Sequence, residues 1–132
     1  MKLMPALVEY MAAQVVWRLS KGAPLCVTPL VIGENVFFWS DQGIVTCVDA
    51  ATGEVRWQQR VGGSFYSSPV CAAEAIYNIS TSGEVVVLAA ALRFEELARN
   101  QLDEASHATP AISGGAMYVR TFNQLLSIKG RR

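Results

Sequence analysis

Apolar residues in this chain fall in short runs, and Gly, Asn, Asp and Ser punctuate them at close intervals. Residues 29–32 form an apolar run that ends at Gly33-Glu34-Asn35, where Gly and Asn tolerate the positive φ of a hairpin turn. Residues 36–40 make a second run, Asp41-Gln42-Gly43 a second turn, and residues 44–49 a β-rich third run. The chain turns again over residues 50–53, and residues 55–61 make a fourth strand. Four short strands in consecutive hairpins are therefore expected within about forty residues.

The pattern then recurs. Thr28-Pro29, Ser68-Pro69 and Thr109-Pro110 are spaced 40 and 41 residues apart. In the same register Phe37, Tyr77 and Tyr118 coincide, as do Gly43 and Gly83, with Gln124 in the third copy. Val45, Val85 and Leu126 coincide next, followed by Cys47, Val87 and Ile128. Trp17 lies twelve residues before Pro29, as Trp57 lies twelve before Pro69. The second unit reads as strands over 70–73, 75–80, 84–90 and 93–102. The last of these is rich in helix formers, but its place in the repeat calls for a strand. The third unit has strands over 111–113, 117–121 and 125–129. The expected fold is all-β, a partial β-propeller of about three four-stranded antiparallel blades. Residues 1–14 form an extension of open structure and 15–27 an orphan outer strand. Blade 1 spans 28–67, blade 2 spans 68–108, and 109–132 supply three strands of blade 3.

Composition sharpens this. Of 132 residues, 52% are hydrophobic and 17% charged, which predicts a substantial core rather than disorder. Eleven basic residues balance eleven acidic ones, so nothing electrostatic favours nucleic acid or an anionic membrane; the largest basic group is Lys129, Arg131 and Arg132. No apolar run reaches the roughly 20 residues of a membrane span. Residues 1–11 carry an apolar stretch broken by Pro5 and Glu9, which does not read as a secretory signal, so the expectation is a cytoplasmic chain or an export signal further upstream. Cys26, Cys47 and Cys71, spaced 21 and 24 apart, fit neither a zinc nor a redox motif, and are expected to be buried small apolar residues.

Asp49-Ala50-Ala51-Thr52-Gly53-Glu54-Val55-Arg56-Trp57 resembles the tryptophan-docking motif of propellers of the pyrroloquinoline quinone (PQQ) type, A-x-D-x-x-T-G-x-x-x-W, with Cys47 in place of the Ala. The resemblance implies that Trp57 packs between blades and that Asp49, Thr52 and Gly53 tie the third strand to the fourth. The second copy lacks the Asp, the Thr-Gly and the Trp, with Phe94 close to the Trp position. Residues 15–130 resemble the C-terminal blades of the PQQ-like repeat proteins, a group that includes the outer-membrane assembly lipoprotein and is mostly periplasmic or exported. The resemblance implies a fold and no reaction, since most such propellers bind no quinone.

Catalytic chemistry is not expected. A quinoprotein site needs oxygen ligands for calcium and a catalytic Asp. Asp41, Asp49 and Glu54 are the only nominees, and each falls in a turn of the repeat. His107 is the single histidine, with Glu104 and Ser106 near it in sequence only. Glu95-Glu96 and Asp103-Glu104 read as a charged outer edge. Gly62-Gly63 and Gly114-Gly115 read as turns, and the Asn78-Ile79-Ser80 sequon as mid-strand coincidence. Trp39 and Tyr66 are the aromatics expected to remain exposed as a contact surface. No catalytic, cofactor or metal residue is assigned, and no cofactor is expected. The function read from the sequence is a non-enzymatic propeller scaffold that binds a protein or peptide, with no nucleic-acid partner and no membrane span. The alternative is a fragment of a PQQ- and calcium-dependent quinoprotein dehydrogenase. Three blades cannot close a ring, so apolar inter-blade faces are expected at both ends, met by further blades of a longer chain or by a second copy.

Overall fold

The computed structural model describes residues 14–20, 23 and 26–130. Eleven strands form three antiparallel sheets, and no helix occurs among the described residues. In the first sheet β1 (Leu30–Ile32), β2 (Asn35–Trp39), β3 (Ile44–Asp49) and β4 (Val55–Arg60) lie in chain order. The second repeats this with β5 (Val70–Ala72), β6 (Ala75–Ile79), β7 (Glu84–Ala89) and β8 (Glu96–Gln101). The third comprises β9 (Ala111–Ser113), β10 (Ala116–Arg120) and β11 (Leu125–Lys129). This is the expected partial propeller. The helix-forming residues 96–101 are strand because the edge of β7 takes up their backbone groups, and tertiary pairing outweighs a propensity difference of a few tenths of a kcal/mol per residue.

The blades stack through side chains that alternate along the middle strands. Phe37, Trp39, Val45 and Cys47 of blade 1 pack against Ile76, Val86 and Leu88 of blade 2, with Phe65 and Val61 closing the same core. Ile79, Val85 and Val87 then turn to Val119, Met117 and Ile128 of blade 3. Both faces of β3 and β7 are buried, so Val85–Leu88 are all apolar and Thr46 is the one polar side chain among the buried positions of β3. Trp39 belongs to this core. It is 0% exposed against Phe65, with ring centroids 5.7 Å apart, so it is not the exposed contact residue expected from the sequence.

A second set of bonds runs from blade to blade. The Thr28 amide donates to Ser68 Oγ at 2.8 Å, and the Ser68 amide donates to Thr109 Oγ1 at 2.9 Å. The Ser68 and Thr109 hydroxyls, each before a proline, thus receive an N–H from the preceding unit, which accounts physically for the recurring Ser/Thr-Pro pair.

Three sequence expectations change. Phe38 pairs with Thr46, Asn78 with Val86 and Val119 with Leu126, so Leu126 corresponds to Val86 and not to Val85. The turn of the third unit is one residue shorter: Thr121 N donates to Gln124 O, where Ser40 N donates to Ile44 O and Ser80 N to Glu84 O. Gln124 therefore replaces Ile44 and Glu84, and the glycine position is missing. Second, Cys47 is buried, but Cys26 and Cys71 are exposed, and all three are free thiols. Cys71 sits mid-way along the innermost strand β5, whose exposure alternates. Burial raises the Cys47 thiol to a pKa of about 11, which keeps it protonated and inert.

Third, the end faces are mixed: on the last blade Tyr118 and Leu125 stay exposed beside polar side chains. Trp17 and Leu19 border the first blade beside Val36 and Phe38. At the other end, alternation turns Tyr118, Arg120, Leu125, Ser127 and Lys129 away from blade 2. Arg120 pairs with Leu125 as Trp39 pairs with Val45 and Ile79 with Val85, so a cation stands where earlier blades bury an apolar side chain. Residues 1–13, 21, 22, 24, 25, 131 and 132 lie outside the described residues, including most of the N-terminal extension and part of the orphan-strand segment.

Candidate functional site

The turn between β3 and β4 is built around Asp49. Its Oδ1 accepts from the Ala51 and Thr52 amides at 2.8 and 3.1 Å, and Thr52 Oγ1 accepts from Glu54 N at 3.2 Å. Asp49 N donates to Glu54 O, and Gly53 N donates back to Asp49 O, both at 2.8 Å. Gly53 has φ +76°, and a Cβ there would lie 2.6 Å from Trp17 Cδ2, because the Trp17 ring lies directly on the turn. Trp17 Nε1 donates to Ala50 O at 2.8 Å. One blade later Trp57 Nε1 donates to Ala91 O at 3.0 Å, and its ring meets Phe37 at 6.1 Å and Phe94 edge-on at 5.5 Å.

This geometry corrects the reading of the second copy. Cys47 pairs with Trp57 and Val87 with Ala98, with a bulge in the same place on each outer strand. Ala98, not Phe94, occupies the tryptophan position, and Phe94 belongs to the turn that receives Trp57. The signal was present in the sequence: Ala98 lies twelve residues before Pro110.

Four carboxylates are engaged. Arg56 Nη2 bonds Asp49 Oδ2 at 2.6 Å, and Arg99 bridges Glu84 and Glu96 at 2.8 and 2.5 Å. Glu104 accepts from Thr121 Oγ1 and Gln124 Nε2, each at 2.7 Å. Asp49 is held below the usual carboxylate range, first by the Ala51 and Thr52 amides and then, against some desolvation, by Arg56. A depressed native pKa contributes stability above the unfolded value of about 4 and loses it as pH falls through the native value. Asp49→Asn, which keeps an acceptor oxygen and loses the charge, is expected to melt below wild type at pH 7. The two melting curves converge as pH falls below about 4 and through the depressed native value.

The strand order puts the β2–β3 and β6–β7 turns on the same face as the connectors between blades. Phe65 N donates to Asp41 O, Thr81 N to Ser64 O, Ser106 N to Thr81 O and Phe122 N to Ala105 O, all at 2.8–3.3 Å. This network presents an aromatic row. Tyr66 lies edge-on to His107 at 4.7 Å, and His107 edge-on to Phe122 at 4.8 Å. Tyr66 is 47% and Phe122 57% exposed, and His107 is exposed between them. The exposure of Tyr66 was legible in the sequence; the rings of His107 and Phe122 beside it were not. Tyr66 and His107 each lie three residues before a repeat proline, and that shared spacing is the signal that joins them.

Among the described residues no three His, Cys, Asp or Glu side chains come together as a metal cluster, and no helix is long and apolar enough to cross a membrane. PQQ with calcium requires a cradle of oxygen donors. The described residues assemble no such cradle: Asp49, Glu84, Glu96 and Glu104 are each bound to protein partners, and Asp41 and Glu54 lie in separate turns of blade 1.

Sheets of four antiparallel strands, arranged blade after blade and joined by Ser/Thr-Pro connectors, define a PQQ-like β-propeller repeat protein. The family model described as outer membrane protein assembly factor BamB matches residues 8–121, and the chain belongs to that family. Among solved structures it is similar to BamB from Moraxella catarrhalis (TM-score 0.63, 17% identity, 75% of this chain and 30% of that one). It is also similar to a europium-containing methanol dehydrogenase (TM-score 0.67, 19% identity, 80% and 22% covered). A third is the quinohemoprotein alcohol dehydrogenase ADHIIG from Pseudomonas putida HK5 (TM-score 0.65, 12% identity, 78% and 17% covered). The chain spans less than a third of the length of each. A search of curated protein sequences finds no match.

Proposed function

We propose that this chain is a non-enzymatic propeller scaffold that binds a polypeptide on its connector face, with Asp49, Thr52, Gly53 and Trp57 serving as the docking motif that couples one blade to the next. The observation that carries the reading is the Tyr66–His107–Phe122 row, three ring side chains kept at the surface by a hydrogen-bonded loop network. Rigid aromatic rings supply contact area at low entropic cost and are enriched where proteins meet partners. Membership of the BamB family supports a role in protein–protein contact.

The likeness to two quinoprotein dehydrogenases favours the second reading, a dehydrogenase fragment. One set of samples separates them. Peptides selected from a random display library against the wild-type protein are expected to lose at least about tenfold in affinity on Tyr66→Ala and Phe122→Ala (about 1.4 kcal/mol). Melting temperatures should be unchanged, because both side chains are exposed. Affinity unaffected by either substitution would move the binding surface elsewhere. Stoichiometric quinone absorbance retained after incubation with PQQ and calcium, followed by desalting, would establish the dehydrogenase reading instead.

A further inference from the structure

Trp57 fills the outer part of the junction between blades 1 and 2, and among the described residues no aromatic side chain takes the equivalent place at the next junction. Register puts Ala98 in the tryptophan place and Tyr77 in that of Phe37, the ring that Trp57 packs against. Alternation along β8 turns Ala98, Asn100 and Leu102 toward blade 3, as Trp57, Gln59 and Val61 turn toward blade 2. The methyl group of Ala98 cannot cross the gap that an indole crosses one blade earlier. A cleft of about 550 Å³ lies beside Ala98, over its ladder neighbours Val87 and Tyr77, walled by these and Val85 of blade 2 and by Met117 and Ile128 of blade 3. It lies within the range of small-molecule sites, roughly 300–1,000 Å³. Its walls are mostly apolar, and Asn100 supplies a polar group able to accept from a ring N–H.

We propose that this cleft between blades 2 and 3 is a binding site for a small planar aromatic molecule of the indole class, which takes the place vacated by the docking tryptophan. One junction earlier the corresponding position holds an indole, and of the two rings that flank it there Phe37 has its counterpart in Tyr77. Dry apolar cavities far smaller, of about 150 Å³, bind benzene. A bicyclic ring fits in the plane between the two sheets, against Tyr77 on one side and Met117 on the other, where ring–ring and sulfur–ring contacts add to apolar burial.

The test is titration of the wild-type chain with free indole, followed by amide and methyl NMR and by melting temperature. Saturable shifts confined to residues around Tyr77, Val87, Met117 and Ile128, with a rising melting temperature, are expected. Ala98→Trp restores the side chain, and should raise the melting temperature by about 4 °C in the absence of ligand and weaken indole at least about tenfold. If Ala98→Trp does not fold, Val87→Phe narrows the same cleft from its wall and should weaken indole in the same way. No saturable shifts at millimolar indole, or indole binding unchanged in whichever of the two variants folds, overturns the proposal.

Discussion

Replacing Gly83 by alanine is expected to destabilise the chain by at least about 3 kcal/mol, which lowers the melting temperature by more than about 10 °C. Two costs combine. Gly83 has φ +90°, where an L-residue loses roughly 1–2 kcal/mol. Its new Cβ would also run into the Glu104 carbonyl oxygen, with the carbonyl carbon only 2.9 Å away. That obstacle is backbone and cannot swing aside. The connector it belongs to is anchored, since Leu102 N donates to Gly83 O at 2.9 Å and Ser106 N to Thr81 O at 3.3 Å. Gly114→Ala is the matched control. It shares a positive φ of +58° but has nothing within 4 Å of the added methyl, so about 1–2 kcal/mol is expected from backbone strain alone. Equal losses at the two sites in urea denaturation would show that the close approach at Gly83 carries no energy.

Trp57→Ala is expected to cost about 3 kcal/mol, the lower end of the range for removing a large aromatic, because the ring is half-buried. Its contacts with Phe37 and Phe94 go, and the Ala91 carbonyl loses its donor. Trp57→Phe separates these, since a ring remains while the N–H disappears, and it should cost about 1 kcal/mol. Blades 1 and 2 are the pair affected, so hydrogen exchange should accelerate across the β3–β4 and β7–β8 turns while β10 and β11 change little. Uniform acceleration over all three sheets would mean that the stack unfolds as one unit, with no separate coupling at this junction.

The forty-residue period was legible because it reflects local requirements. The hydroxyls before Pro69 and Pro110 catch the N–H of the unit before, and a glycine must sit where the β2–β3 and β6–β7 turns press on the next connector. The register of the third unit was not legible, because a constant spacing aligned Leu126 with Val85 while strand pairing sets it opposite Val119 and in line with Val86. One deleted turn residue exchanges the faces of a strand, and only the pairing reveals it. The exposure of Trp39 failed for a related reason. The middle strands of a stacked blade are buried on both faces, so alternation in the sequence does not separate inside from outside.

Of the candidate surface, Tyr66 could be read from the chain, and the row it joins could not. His107 lies 41 residues away and Phe122 in a different turn, and only the stacking of connectors on turns brings the three rings to within 5 Å of one another in sequence along the face. The cleft between blades 2 and 3 likewise depends on what Ala98 faces across a sheet-to-sheet gap. By itself, then, the sequence determined the strands, their turns, the repeat and hence the class of fold, since each rests on hydrogen bonds and backbone conformations within a few residues. Tertiary structure decided which faces are covered, which rings meet and where space is left, since these depend on distances between units that the chain order does not encode.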